Sequence, residues 1–151
     1  MWNNFKFNKK KNKLIMKKIL ITTGGSGGHV IPSLSIYDHL KDYFEITLVT
    51  DERGLKYINK NNYTFTLIDV PNLFSKLYLL PINLIKFFIS ILKSYNYLNK
   101  NNINFLISTG GYMSLPLCIA SRFLNIKIFL FEPNSVLGRT NKFMLGISKK
   151  I

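Results

Sequence analysis

Gly24-Gly25-Ser26-Gly27-Gly28-His29 is the stretch of this chain best suited to chemistry, with four glycines in five residues and a histidine directly after them. Glycines let a backbone approach a ligand closely. Where such a loop opens a helix, the unbonded N–H groups and the positive end of the helix attract an anion, so the loop has a phosphate-binding design. It fits neither common pattern. G-x-G-x-x-G counted from Gly25 needs glycine where Val30 stands, and a Walker loop needs Lys followed by Ser or Thr after the last glycine. ATP hydrolysis is disfavoured. His29, at the head of a helix, meets a positive potential that favours a neutral ring able to accept a proton. It is a candidate general base, or else a histidine that caps or packs at the turn. His39 lies inside the next helix and reads as structural or solvent-facing.

Three other short stretches carry polar groups of interest. Thr109-Gly110-Gly111 repeats Thr23-Gly24-Gly25. Glu132-Pro133-Asn134 and Gly138-Arg139-Thr140-Asn141 follow a later apolar run. Glu132 can orient a sugar hydroxyl or assist proton removal and Asn134 can bond a hydroxyl or amide, although each also suits a turn or cap. Asp51 stands where a dinucleotide-binding domain keeps its ribose-binding acid, which keeps a nicotinamide reading open. Cys118, the single cysteine, is flanked by Leu117 and Ile119 and reads as a small core residue rather than a nucleophile. No His, Cys and carboxylate cluster has metal-ligand spacing, so neither a metal nor a cofactor is expected.

These residues need a scaffold that brings them to one edge, and the hydrophobic pattern supplies one. Apolar runs at Lys18–Thr22, Glu45–Thr50, Thr64–Val70, Asn104–Ser108 and Lys127–Phe131 predict strands. Helical periods fall at His29–Tyr43, near Glu52–Asn61, at Ile82–Lys100, Met113–Leu124 and Gly138–Ile147. Alternating strands and helices imply an α/β fold, a Rossmann-like parallel sheet with helices on both faces. Such sheets bind ligands at the carboxyl ends of their strands, where both glycine loops fall. In the helix of residues 82–100, Lys86, Ser90, Lys93, Tyr97 and Lys100 predict one wet stripe on an apolar cylinder that covers the sheet.

The 151 residues fit one domain, read as residues 16–151 behind a basic, disordered extension of residues 1–15. The formal net charge of +14 favours anionic partners, and Lys6, Lys9, Lys10, Lys11 and Lys13 in the extension supply part of it. The extension reads as a tail rather than a nucleic-acid arm, and Met16 is an alternative start. It lacks the length and cleavage site of a secretion signal, so a cytoplasmic protein is expected. Residues 71–92 are interrupted by Lys76, Lys86, Asn72, Asn83 and Pro81, short of the roughly 20 apolar residues of a membrane span. Leu73, Phe74, Lys76, Leu77 and Tyr78 nevertheless combine large apolar groups with a cation, which suits either shallow docking on an anionic membrane surface or packing inside the domain.

Taken together, Gly24–Pro32, Ser108–Tyr112 and Phe131–Asn141 closely resemble the N-terminal domain of the MurG family, glycosyltransferase family 28. The resemblance runs from about Met16 to the end of the chain. It implies the N-terminal, acceptor-binding half of a two-domain GT-B transferase. Such enzymes move N-acetylglucosamine from UDP-N-acetylglucosamine to undecaprenyl-diphosphate-linked muramyl-pentapeptide in peptidoglycan synthesis, by an inverting, metal-independent displacement at the cytoplasmic face of the bacterial inner membrane. By resemblance, Gly24, Gly25, Thr109, Gly110 and Gly111 meet the acceptor diphosphate. Ser26, Gly27, Gly28 and Asn134 lie near the donor, His29 is the base, and Tyr112 and Glu132 are cleft residues that affect activity. Two departures stand out: many members have Gln in place of Pro133, which removes an amide donor, and Thr in place of Ser26. The implied donor domain would follow residue 151, so this chain is expected to need a separate donor-domain chain for turnover. Two competing readings are a non-catalytic, membrane-associated acceptor-binding module and a nicotinamide-dependent domain using Asp51. Nucleic acid is not an expected partner.

Overall fold

The computed structural model describes residues 16–70, 78, 80–133 and 138–146. Its five strands are β1 (Lys18–Thr22), β2 (Glu45–Thr50), β3 (Phe65–Leu67), β4 (Phe105–Ser108) and β5 (Lys127–Leu130). They form one parallel sheet in the order β3-β2-β1-β4-β5. The helices are α1 (Gly27–Leu40), α2 (Glu52–Leu55), α3 (Leu80–Lys100), α4 (Leu115–Phe123) and α5 (Arg139–Met144), with a 3-10 turn at Tyr112–Ser114 leading into α4.

The sheet separates two cores because successive side chains of a strand point to opposite faces. Ile19 and Ile21 of β1 join Val30, Tyr37, Ile46, Leu48 and Ile58 on the α1 side. Leu20 joins Leu98, Leu106, Leu117, Cys118, Ile128 and Met144 on the other. Strands buried on both faces read as unbroken apolar runs, as Ile19-Leu20-Ile21 does. Cys118 packs there as a core residue, and burial pushes its thiol up to about 12 against a smaller lowering by Ser108.

The order of strands reverses direction between β1 and β4, and ligands of open α/β sheets bind at that switch point. Register puts the two ends level: Thr22 lies opposite Ser108. Thr23 and Thr109 therefore leave the sheet side by side, each still tied to it through its N–H, to the Val49 and Thr22 carbonyls respectively.

Several elements differ from the sequence expectation. The first helix begins at Gly27 rather than His29, so Pro32 falls in its second turn and denies Gly28 its helical N–H partner. The second helix is one turn, and the third strand is only three residues long. The larger correction concerns α3. It packs on α4, and its buried residues are Asn83, Ser90, Ser94 and Leu98. Ser90 is thus inward rather than part of a wet stripe, because a small side chain lets the two helices approach. Lys86, Lys93 and Lys100 are exposed as expected. Leu84, Ile85, Phe88, Ile89 and Leu92 share the exposed surface with them, Ile85 and Phe88 at 62% and 61%. Among the described residues, no helix is long and apolar enough to cross a membrane.

Candidate functional site

The first glycine loop departs from β1 and turns into α1 through Ser26, which has extended backbone (φ −120°, ψ 159°) and makes no side-chain cap bond. Gly25 adopts φ +84°, a left-handed conformation that an L side chain resists. The Ser26 N–H bonds the Gly24 carbonyl and the His29 N–H bonds the Ser26 carbonyl. Gly27 and Gly28 contribute the N–H groups that the first turn of a helix leaves unbonded. Gly27 also lets the loop lie on Tyr57, whose ring would be 3.0 Å from a Cβ there.

The second loop takes a different path from the same tripeptide. Gly110 and Gly111 both have positive φ, +99° and +89°. A Cβ on Gly111 would come 2.7 Å from the Gly24 carbonyl oxygen, so the two loops touch through backbone alone. A Cβ on Gly110 would come 3.0 Å from the His29 ring and 3.3 Å from Asn141 Nδ2, so the missing side chain is what admits the imidazole.

His29, in the first turn of α1 and half-buried, reaches across to the second loop. Its Nδ1 lies 2.7 Å from the Thr109 carbonyl oxygen. A carbonyl only accepts, so Nδ1 carries the hydrogen and, in the neutral ring, Nε2 keeps a lone pair. His39 instead bonds the Ser35 carbonyl of its own helix through Nδ1 and is exposed.

Glu132, after β5, is half-buried and turned inward. Its Oε2 accepts from the Gly138 N–H at 2.9 Å and from Asn141 Nδ2 at 3.0 Å. These bonds tie residue 132 to the start of α5 and hold Asn141, which is buried, beside Gly110. Asn134 lies outside the described residues. Tyr112 follows the second loop, with its ring centroid 6.0 Å from that of Phe87. It lines a cleft of about 820 Å³ that also meets Arg53, Asp69, Leu115, Thr140 and Phe143. That cleft flanks the glycine loops on the β2–β3 side.

Of the residues singled out from sequence, the structure thus brings together Gly24, Gly25, Gly110, Gly111, His29 and Glu132, with Thr109 as the bonding partner of His29. Asp51 is a correction. Its carboxylate accepts from the Gly25 N–H at 3.0 Å, the Gly54 N–H at 2.9 Å and Arg53 Nε at 2.9 Å, so it braces the loop and is not presented to a ribose. Burial alone would raise its pKa, but the Gly25 and Gly54 donors and the Arg53 guanidinium outweigh burial and hold the carboxyl below its usual range. An Asp three residues before Gly54 is a helix-cap signal that sequence reasoning passed over in favour of a ribose contact. Among the described residues no group of His, Cys, Asp and Glu is arranged to hold a metal ion.

Comparison with known proteins assigns the same stretch to a family. The glycosyltransferase family 28 N-terminal domain matches residues 19–151. A Pelagibacter ubique protein is 53% identical over 135 residues, covering 89% of this chain and 38% of the relative; its name is UDP-N-acetylglucosamine--N-acetylmuramyl-(pentapeptide) pyrophosphoryl-undecaprenol N-acetylglucosamine transferase. A Rickettsia typhi protein of the same name is 38% identical over 138 residues, covering 90% of this chain and 35% of the relative. This chain therefore spans little more than a third of the length of the curated relatives it matches. In fold it is similar to the crystal structure of Acinetobacter baumannii MurG, with a TM-score of 0.74 at 22% identity over 88% of this chain and 40% of that one. It is also similar in fold to UDP-N-acetylglucosamine 2-epimerase from Rickettsia bellii, with a TM-score of 0.60 at 17% identity over 88% of this chain and 37% of that one.

Proposed function

The chain belongs to glycosyltransferase family 28, and on that premise we propose that it is the acceptor-side half of a hexosyltransferase. The reaction we assign moves N-acetylglucosamine from UDP-N-acetylglucosamine to undecaprenyl-diphosphate-linked muramyl-pentapeptide. The observation that carries the reading is the His29 ring, anchored through Nδ1 on Thr109 with Nε2 available as a base.

In this mechanism Gly24, Gly25, Thr109, Gly110 and Gly111 of the two glycine loops hold the acceptor diphosphate near the positive end of α1. Nε2 of His29 takes the proton from a muramyl hydroxyl. The hydroxyl oxygen bonds to the anomeric carbon of the donor sugar from the face opposite UDP, and the bond to UDP breaks with its electron pair, inverting the carbon. The Thr109 carbonyl keeps the ring oriented and stabilises the imidazolium that forms. Glu132 supports the reaction by holding Asn141, which lies against Gly110, and so keeps the wall of the imidazole slot in position. We assign donor contact to Ser26, Gly27 and Gly28, and by its place in the sequence alone to Asn134; a C-terminal domain, in the same or a separate chain, holds the donor.

A lipid-linked acceptor requires approach to a membrane, and α3 supports peripheral contact at the cytoplasmic face. Its exposed Leu84, Ile85, Phe88, Ile89 and Leu92, with Lys86 and Lys93 beside them, give the apolar and cationic mixture that interfacial binding needs. Tyr78, exposed just before this helix, extends that surface. Leu73, Phe74, Lys76 and Leu77 lie outside the described residues.

The test is reconstitution. Mixed with a separately produced UDP-sugar-binding half, this chain is expected to transfer labelled N-acetylglucosamine to a lipid-linked muramyl-pentapeptide. Acceptor binding without transfer would favour a non-catalytic binding module, and absence of acceptor binding would overturn the reading altogether.

A further inference from the structure

Asp51 makes more bonds than capping one short helix requires. The cap of α2 needs only the bond from Gly54, yet the same Oδ1 also takes the N–H of Gly25, 26 residues away in sequence. Its Oδ2 accepts from Arg53 Nε at 2.9 Å and pairs with Nη2 at 2.8 Å. The Asp51 side chain is only 12% exposed, so these bonds are largely shielded from water. Gly25 is a residue with no side chain and a positive φ, and its own preferences leave that peptide loosely defined. A bond to its N–H supplies the missing restraint. A Cβ on Gly24 would fall 3.0 Å from Asp51 Oδ1, so the carboxylate also sits directly against the loop's first glycine.

Arg53 is held by the same carboxylate and remains 67% exposed. Its Nη2 is the atom nearest to where a Cβ on Gly25 would lie, at 3.9 Å. The guanidinium spends one edge on Asp51, which leaves Nη1 and the outer hydrogen of Nη2 for a ligand. Arg53 also lines the neighbouring cleft, with Glu52 and Asp69 among the other described residues there. The exposed guanidinium therefore favours an anion at the rim beside Gly25.

We propose that Asp51 is the positioning residue of the first glycine loop, and that the Arg53 it holds contacts a phosphate group bound there. The proposal deepens the reading of the loops as a diphosphate site and, for its Arg53 half, rests on it. The test uses this chain, amide hydrogen exchange at Gly25, and titration with inorganic pyrophosphate. Asp51→Ala is expected to speed Gly25 exchange and to weaken pyrophosphate binding about tenfold, as loss of a charge-assisted hydrogen bond does. Asp51→Asn, which keeps an oxygen acceptor, restores Gly25 protection. Asp51→Ser, a good helix cap too short to reach Gly25, exposes that amide without removing the cap of α2, and serves if the alanine variant does not fold. Arg53→Gln leaves Gly25 protection unchanged and lowers pyrophosphate affinity about tenfold.

Unchanged Gly25 exchange in both Asp51→Ala and Asp51→Ser overturns the positioning role, and wild-type affinity in Arg53→Gln overturns the contact. No pyrophosphate binding by the wild-type chain overturns both the Arg53 contact and the diphosphate reading of the loops. Gly25 exchange still decides the role of Asp51 in that case, because that readout needs no ligand.

Discussion

Thr23-Gly24-Gly25 and Thr109-Gly110-Gly111 are the same tripeptide at the same level of the same sheet, yet they fold differently. The first has one left-handed glycine and is braced by the side chain of Asp51, the cap residue of α2 directly after β2. The second has two and is braced by contact with the first, backbone against backbone at Gly111 and Gly24. The first continues into a helix whose opening turn carries His29, and the second into a 3-10 turn that points Tyr112 toward the cleft. Local sequence therefore does not decide what a glycine loop becomes; its neighbours do. One loop presents N–H donors and a base, and the other supplies the carbonyl that orients that base.

The strongest way to break this division of labour is to remove the bridge. In the reconstituted two-half enzyme, His29→Ala is expected to lower turnover by about 10²–10⁴-fold, the usual worth of a general base. Wild-type turnover would remove His29 from the mechanism.

Gly111→Ala comes next. Its φ of +89° with ψ 142° belongs almost solely to glycine, and the clash is with a backbone oxygen that cannot swing away. A loss of about 3 kcal/mol in denaturant-derived stability is expected. Gly25→Ala shares a positive φ, but the nearest atom to its Cβ is the far end of Arg53 at 3.9 Å, so only the conformational penalty of about 1 kcal/mol applies. Equal losses at the two positions would show that the loops are braced alike after all.

The smallest effect is in pH dependence. Asp51 has a folded-state pKa below its unfolded value of about 4, so it binds fewer protons folded than unfolded near that pH. Its stabilisation is present above the unfolded value and is lost as pH falls through the folded one. Thermal unfolding of wild type and Asp51→Asn should therefore differ most above about pH 5 and converge as pH falls below about 4. A difference that stays constant across that window would mean that the charge of Asp51 contributes nothing to bracing the first loop.

Much of the architecture was legible because strand and helix periods are local properties. The strands at residues 18–22 and 45–50 and the α/β alternation follow from apolar runs that a doubly covered parallel sheet requires. The α3 face was misread for the same reason. Periodicity reports where apolar residues lie along a helix but not which side another helix covers, and the small Ser90 and Ser94 were the better packing surface against α4. Asp51 was misread because its partner Gly25 is remote in sequence, and an acid at the end of a strand looks the same whether it bonds a ribose or an amide.

By itself, then, the sequence determined the parallel α/β sheet, the two glycine loops at its carboxyl edge and a histidine at the head of the first helix. Those features depend on glycine's missing side chain and on residue spacing. Tertiary structure alone decided that β1 and β4 would be neighbours at the switch point. From that adjacency follow the Thr109 carbonyl that orients His29, the bare Gly110 that admits its ring and the Gly24–Gly111 contact. Each of these joins groups at least 80 residues apart, and contact at such separation arises only when long-range strand pairing closes the chain.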